Sequence, residues 1–112
     1  MTIREAAKAL GAEAVQDEFE DVMLRGAYTS DLLSDVMANA KEGGALITIQ
    51  AHKNTVAVAT LVNTPVIFIC NYRPIPDDMI ESAREEGIAL YRTRENQYTV
   101  SGRLYAMLHG EA

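Results

Sequence analysis

The stretch richest in reactive side chains is Thr48-Ile49-Gln50-Ala51-His52-Lys53-Asn54. Thr48, Gln50 and His52 alternate with Ile49 and Ala51, so an extended backbone would put the polar side chains on one face. Strands buried in parallel sheets are normally apolar on both faces. The polar face also leads into a helix start, where unpaired N–H groups favour anions. Read as function, Gln50, His52 and Asn54 form a small-molecule or phosphate site. Read as structure, Gln50 and His52 satisfy backbone groups of a neighbouring loop or lie in a subunit interface, and Asn54 is a plain N-cap. Asn71-Tyr72-Arg73-Pro74 follows the next apolar run. There Arg73 either clamps a phosphate bidentately or pairs with Asp77 or Asp78. Ser30 and Asp31 close an earlier strand and either face the same edge or cap the next helix. Three strand ends thus converge on one edge. The expected ligand-binding set is Ser30, Asp31, Thr48, Gln50, His52, Asn54, Asn71 and Arg73.

Other chemistries find little support. The chain has no G-x-x-x-x-G-K-[ST] loop, no G-x-G-x-x-G and no G-x-S-x-G elbow, and Gly43-Gly44 runs straight into Ala45-Leu46. His52 and His109, the two histidines, stand far apart, so no metal site is expected. Cys70 is the one cysteine, which rules out an intrachain disulfide. It ends the apolar run Pro65-Val66-Ile67-Phe68-Ile69-Cys70 and reads as a small buried hydrophobe.

The elements that must position these residues can be read from periodicity. Thr2-Ile3-Arg4-Glu5 is a capping box, and Ile3, Ala6, Ala7 and Leu10 follow at helical spacing, predicting a helix over 3–10 that Gly11 stops. Ala14-Val15 is a short apolar piece, and residues 17–21 are acidic and solvated. A strand is expected over 22–28, with Val22, Leu24 and Ala27 inward. Ser30-Asp31 would cap a second helix bearing Leu32, Leu33, Val36, Met37 and Ala40. Residues 45–50 read as a buried strand. Asn54 would cap a third helix, apolar nearly all round and so deeply sandwiched. Residues 65–70 form the most hydrophobic and central strand. Pro76, as first helical residue, opens a fourth helix closed by Gly87. A strand over 88–91, a polar loop over 92–98 and a last helix starting at Thr99 or Ser101 complete the chain. The alternation of strands and helices from residue 22 onward predicts a three-layer α/β fold: a mainly parallel sheet of about four to five strands with right-handed crossovers.

Composition agrees with a single domain over 1–112: 48% of residues are hydrophobic and 23% charged. Ten bases against 16 acids give a net charge of −6, which argues against nucleic acid and against an anionic membrane surface. The N-terminus has no apolar signal segment and no stretch reaches membrane-spanning length, so a cytoplasmic location is expected. Acid is concentrated at 17–21 and 77–86, whereas the 48–54 segment carries Lys53 and His52 and no carboxylate.

Residues 24–108 resemble a DRTGG domain, and the chain is similar to the N-terminal domain of HPr kinase/phosphorylase without its kinase domain. The resemblance is carried by Thr29-Ser30-Asp31, by Gly44-Ala45-Leu46-Ile47-Thr48-Ile49-Gln50-Ala51-His52-Lys53-Asn54-Thr55-Val56-Ala57-Val58-Ala59, and by Ala83-Arg84-Glu85-Glu86-Gly87-Ile88-Ala89-Leu90. The helix over 2–11 resembles the start of HPr kinase chains. The letters D-R-T-G-G do not occur; Asn71-Tyr72-Arg73-Pro74 occupies that loop. The resemblance implies a regulatory, non-catalytic module with no resident cofactor, an adenine nucleotide as regulatory ligand, and a homodimer. DRTGG domains accompany phosphotransacetylase and CBS-containing pyrophosphatase, and stand-alone members look like accessory proteins of redox enzymes such as hydrogenases. A protein-interaction or assembly factor for a larger enzyme is therefore the alternative, and a small enzyme acting through His52 is a third reading.

Overall fold

Each parallel strand is joined to the next by one helix, and this connection dictates the sheet. The computed structural model describes residues 1–110. In chain order its elements are α1 (Ile3–Leu10), β1 (Glu13–Gln16), β2 (Ala27–Thr29), α2 (Leu33–Asn39), β3 (Ala45–Thr48), α3 (Lys53–Leu61), β4 (Val66–Ile69), α4 (Asp77–Glu86), β5 (Ala89–Arg92) and α5 (Gln97–Leu108). The five-stranded sheet has the order β1-β5-β4-β3-β2, with β2 to β5 parallel and β1 antiparallel to β5. This is the expected three-layer α/β architecture.

Successive crossovers step in one direction, so α2, α3 and α4 fall on one face. Their Val36, Val56, Ala59, Met79 and Ala83 pack on Leu46, Ile67 and Leu90. The register aligns those three strand residues across the sheet. One residue further on, Ile47, Phe68 and Tyr91 align on the opposite face, where Ile3, Leu10, Val100 and Leu104 of α1 and α5 cover them. Two-residue periodicity thus splits the apolar runs between two cores. Among the described residues no helix is long and apolar enough to cross a membrane.

The α1 capping box forms as read: Thr2 Oγ1 accepts from the Glu5 N–H at 3.2 Å, and Glu5 Oε1 from the Thr2 N–H at 2.8 Å. Gly11 ends the helix at φ +66°. Several expectations need correction. First, residues 13–16 are a strand, not merely an apolar piece. Gln16 anchors it, its buried amide donating to the Ile88 carbonyl at 2.7 Å. Second, the strand over 22–28 shrinks to Ala27–Thr29. Its first part pairs with the chain's N-terminus instead, the Ile3 N–H donating to Val22 O and the Leu24 N–H to Met1 O. Gly26, at φ +154°, separates the two parts. Third, Leu32 and not Ser30-Asp31 occupies the N-cap of α2, with no side-chain cap bond. Fourth, Pro76 is the N-cap of α4, one place before the first helical residue, and α5 begins at Gln97 because Asn96 caps it, accepting from the Thr99 N–H at 2.9 Å. Fifth, α3 lies on the surface of its layer. Thr55, Val56 and Ala59 are its buried residues, and Leu61 is 68% exposed.

Candidate functional site

The carboxyl ends of β2, β3 and β4 share one edge, and Asp31 stands at its centre. The residue leaves β2 and turns its carboxylate toward the end of β3. Its Oδ1 accepts from the Thr48 hydroxyl and the Ile49 N–H, each at 2.9 Å. Oδ2 accepts from the Gln97 side chain at 3.1 Å. The Gln50 amide donates to the Asp31 carbonyl at 2.9 Å. These bonds explain why Asp31 does not cap α2: its acceptors are already committed across the sheet. Burial pushes the Asp31 carboxyl up. The N–H of Ile49, the Gln97 amide, the Thr48 hydroxyl and the nearby Arg73 charge outweigh it and leave the group below the usual carboxylate range.

Thr48 is fully buried and relays the network, accepting from the Gln50 N–H at 3.1 Å while donating to Asp31. The Thr55 hydroxyl donates to the Gln50 carbonyl at 2.8 Å and ties the segment to α3. Polar residues inside this strand end therefore satisfy one another. Ser30 sits just before, its Oγ accepting from the Leu32 N–H at 3.2 Å and its own N–H donating to Ile47 O.

His52, not Asn54, is the N-cap of α3. Its Nδ1 accepts from the Asn54 N–H at 3.0 Å, because the helix starts at Lys53 and the residue before it faces the free donors. This leaves Nε2 pointing away from the cap. His52, Asn54 and Arg73 are exposed, as is Asn71. Asn71 and Tyr72 both adopt the left-handed conformation, at φ +60° and +48°. Their N–H groups donate to Glu95 O at 3.0 Å and Thr93 O at 2.8 Å, which fixes the turn that presents Arg73. The ion pairs formed by the described residues are Arg84–Glu81 and Arg92–Glu13. Arg73 pairs with neither Asp77 nor Asp78, and its charge acts instead on Asp31.

The eight residues singled out by spacing are thus gathered at one edge, in two groups. Ser30, Asp31, Thr48 and Gln50 spend side-chain polar atoms on bonds within the protein, whereas His52, Asn54, Asn71 and Arg73 present polar atoms to solvent. The strand order runs from β2 to β5 without reversal, so the edge has no topological switch crevice. Cys70 is fully buried beside this edge, and burial with the Asp31 charge pushes its thiol up to about 11. A thiol so held stays protonated at neutral pH and makes a poor nucleophile. Among the described residues no cluster of three His, Cys, Asp or Glu is placed to hold a metal ion. The side chains this edge presents to solvent offer hydrogen-bonding groups and the Arg73 guanidinium.

Sequence reasoning missed Gln97, which lay in the expected polar loop, and Ser101, whose hydroxyl is 2.6 Å from that of Thr29. It also missed a cluster at the end of β5. The Tyr72 ring lies between the guanidiniums of Arg92 and Arg94, each 4.0 Å from its centroid, and Arg92 pairs with Glu13 at 3.2 Å. No local pattern links positions 13, 72, 92 and 94; the sheet alone brings them together.

No protein-family model matches the chain, and no curated protein matches it in sequence. Among solved structures the fold is similar to the CBS and DRTGG domains of the regulatory region of Clostridium perfringens pyrophosphatase, complexed with activator, diadenosine tetraphosphate. The TM-score is 0.73 at 15% identity, over 90% of this chain and 44% of that one. The chain therefore spans less than half the length of its structural neighbour, and the likeness is one of fold.

Proposed function

We propose that the chain is a non-catalytic regulatory domain that senses a small organic anion of the adenine-nucleotide class. The ligand is received at the carboxyl ends of β2, β3 and β4. One observation carries this reading: Arg73, without a carboxylate partner among the described ion pairs, is held at the same edge as the exposed polar atoms of His52, Asn54 and Asn71. Arg73 supplies the bidentate contact to phosphate, while Asn71, Asn54 and His52 Nε2 supply neutral donors. Ser30, Asp31, Thr48 and Gln50 form the frame beneath, which couples β2, β3 and α5 through Asp31. A ligand drawing on Arg73 would weaken its hold on Asp31, and the frame would pass that change to α5. The fold supports the reading, since it resembles a regulatory region solved with a nucleotide activator. The proposal includes a homodimer; the exposed apolar side chains of Leu32 and Met37, at the start and middle of the segment carrying α2, favour association.

A thermal-shift panel of AMP, ADP, ATP and diadenosine tetraphosphate tests the proposal. Ligand at about a hundred times its Kd adds roughly 2.7 kcal/mol, which raises Tm by several degrees in a domain of this size. An unmoved Tm across the whole panel would defeat it.

A further inference from the structure

A surface cavity lies in a groove between α5 and the edge strand β2, on the face of the sheet that α1 and α5 cover; it begins at Thr29, beside that edge, and runs toward Arg25 and Lys41. Its volume is about 280 Å³. Ala27 and Thr29 of β2 and Ile47 of β3 form one side, and Ser101, Tyr105 and Leu108 of α5 the other. The groove exists because two helices cover the face that three cover on the opposite side. Helix α5 lies over β2 and β3 without sealing the edge, and Ala27 is too small to fill the gap.

The charge lining it is unlike that of the molecule. The protein carries −6, yet the groove is lined by Arg25, Lys41 and His109, and by no Asp or Glu among the described residues. Arg25 and Lys41 form no ion pair with a described carboxylate. Glycines let both stems lie close against the backbone. The Lys41 stem crosses Gly26, where a Cβ would come within 3.0 Å of its Cδ, and the Arg25 stem crosses Gly43, where a Cβ would come within 2.9 Å. Both glycines have positive φ, +154° and +78°. Beside them Tyr105, 57% exposed, stacks on His109 with centroids 4.1 Å apart and planes 11° apart, and Ile47 makes an apolar floor.

We infer that this groove is a second anion site, which takes an organic phosphate bearing a flat ring. The phosphate sits between Arg25 and Lys41, with Ser101 and Thr29 as hydroxyl partners, and the ring lies against Tyr105. Steering toward the groove is local, since net charge would repel an anion at long range.

Amide chemical-shift mapping on the full chain tests this, with ADP, pyrophosphate and adenosine as probes. ADP and pyrophosphate should shift residues 25–29, Lys41 and 101–109, and adenosine alone should bind far more weakly. The double variant Arg25→Gln/Lys41→Gln should weaken ADP at the groove roughly tenfold or more. Ala27→Leu, which fills the groove without touching charge, should do the same and guards against misfolding of the double variant. Four results would overturn the inference: shifts confined to 50–54 and 71–73, groove shifts untouched by either variant, no shift with ADP or pyrophosphate, or groove resonances that change with protein concentration alone, which would assign the surface to a second copy. The first of these leaves the proposed regulatory function standing, so the two claims fail separately.

Discussion

Asp31 keeps its charge because three donors reach it, two from the end of β3 and one from α5, and removing the acceptor should strand all three. Asp31→Ala leaves the Thr48 hydroxyl, the Ile49 N–H and the Gln97 amide unsatisfied in a part-buried setting, at a cost of about 2–3 kcal/mol in urea unfolding. The pH dependence has a definite sign. The folded carboxyl lies below its unfolded value of about 3.9, so its contribution is complete above that pH and is lost as pH falls through the folded value. Asp31→Asn should therefore lose less stability than the wild type between neutral pH and about pH 3. Equal losses would show that the carboxylate is not held as described. Cys70 offers a second check at this scale. With its thiol raised to about 11 and no exposure, it should resist a thiol reagent at mildly alkaline pH until urea unfolds the chain. Rapid labelling of the native protein would contradict its placement. The polar types at 48–54 and 71–73 could be singled out from the sequence because they interrupt apolar runs. Their partners could not, because Asp31 meets Thr48 and Gln97 across 17 and 66 positions.

The elements themselves were most readable where the signal is local. The Thr2–Glu5 capping box and the Gly11 stop need only neighbouring residues, and both stand as read. Caps set by tertiary placement were misassigned: Asp31 was drawn off by β3, and His52 took the position expected of Asn54. His52→Ala should accordingly destabilise by about 1 kcal/mol, and His52→Asn should retain most of that, as N-cap series do. If Asn54→Ala costs the same as His52→Ala, the assignment is wrong. The pairing of β2 with β3 rests on Gly44, where a Cβ would meet the Gly26 carbonyl oxygen at 2.9 Å and carbon at 3.0 Å. Backbone cannot yield as a side chain does, so Gly44→Ala should cost about 1–3 kcal/mol. The antiparallel β1 was invisible as a strand because four residues with one buried position carry no alternation. It is held by Gln16, a contact made across 72 positions.

At the scale of the whole molecule, the alternation of strands and helices was enough to set the three-layer α/β class, and strand order was not. Nothing local distinguishes β2-β3-β4-β5 laid down in sequence from a reversed arrangement, and the unreversed order is what denies the carboxyl edge a crevice. On the proposed reading, recognition there comes from protruding groups, chiefly Arg73, on a protein whose overall charge is −6. Binding of an anion under those conditions depends on a few contacts and little on long-range attraction. Titration calorimetry of the wild type, Ala27→Leu and Ala27→Leu/Arg73→Gln with AMP, ADP and ATP bears most directly on the regulatory reading. The expected result is saturable binding that persists when Ala27→Leu fills the groove and that Arg73→Gln, added to that variant and folded, weakens about tenfold or more. Absence of binding by the wild type or by Ala27→Leu, or affinity unchanged when Arg73→Gln is added, would contradict an anion-sensing role for the edge.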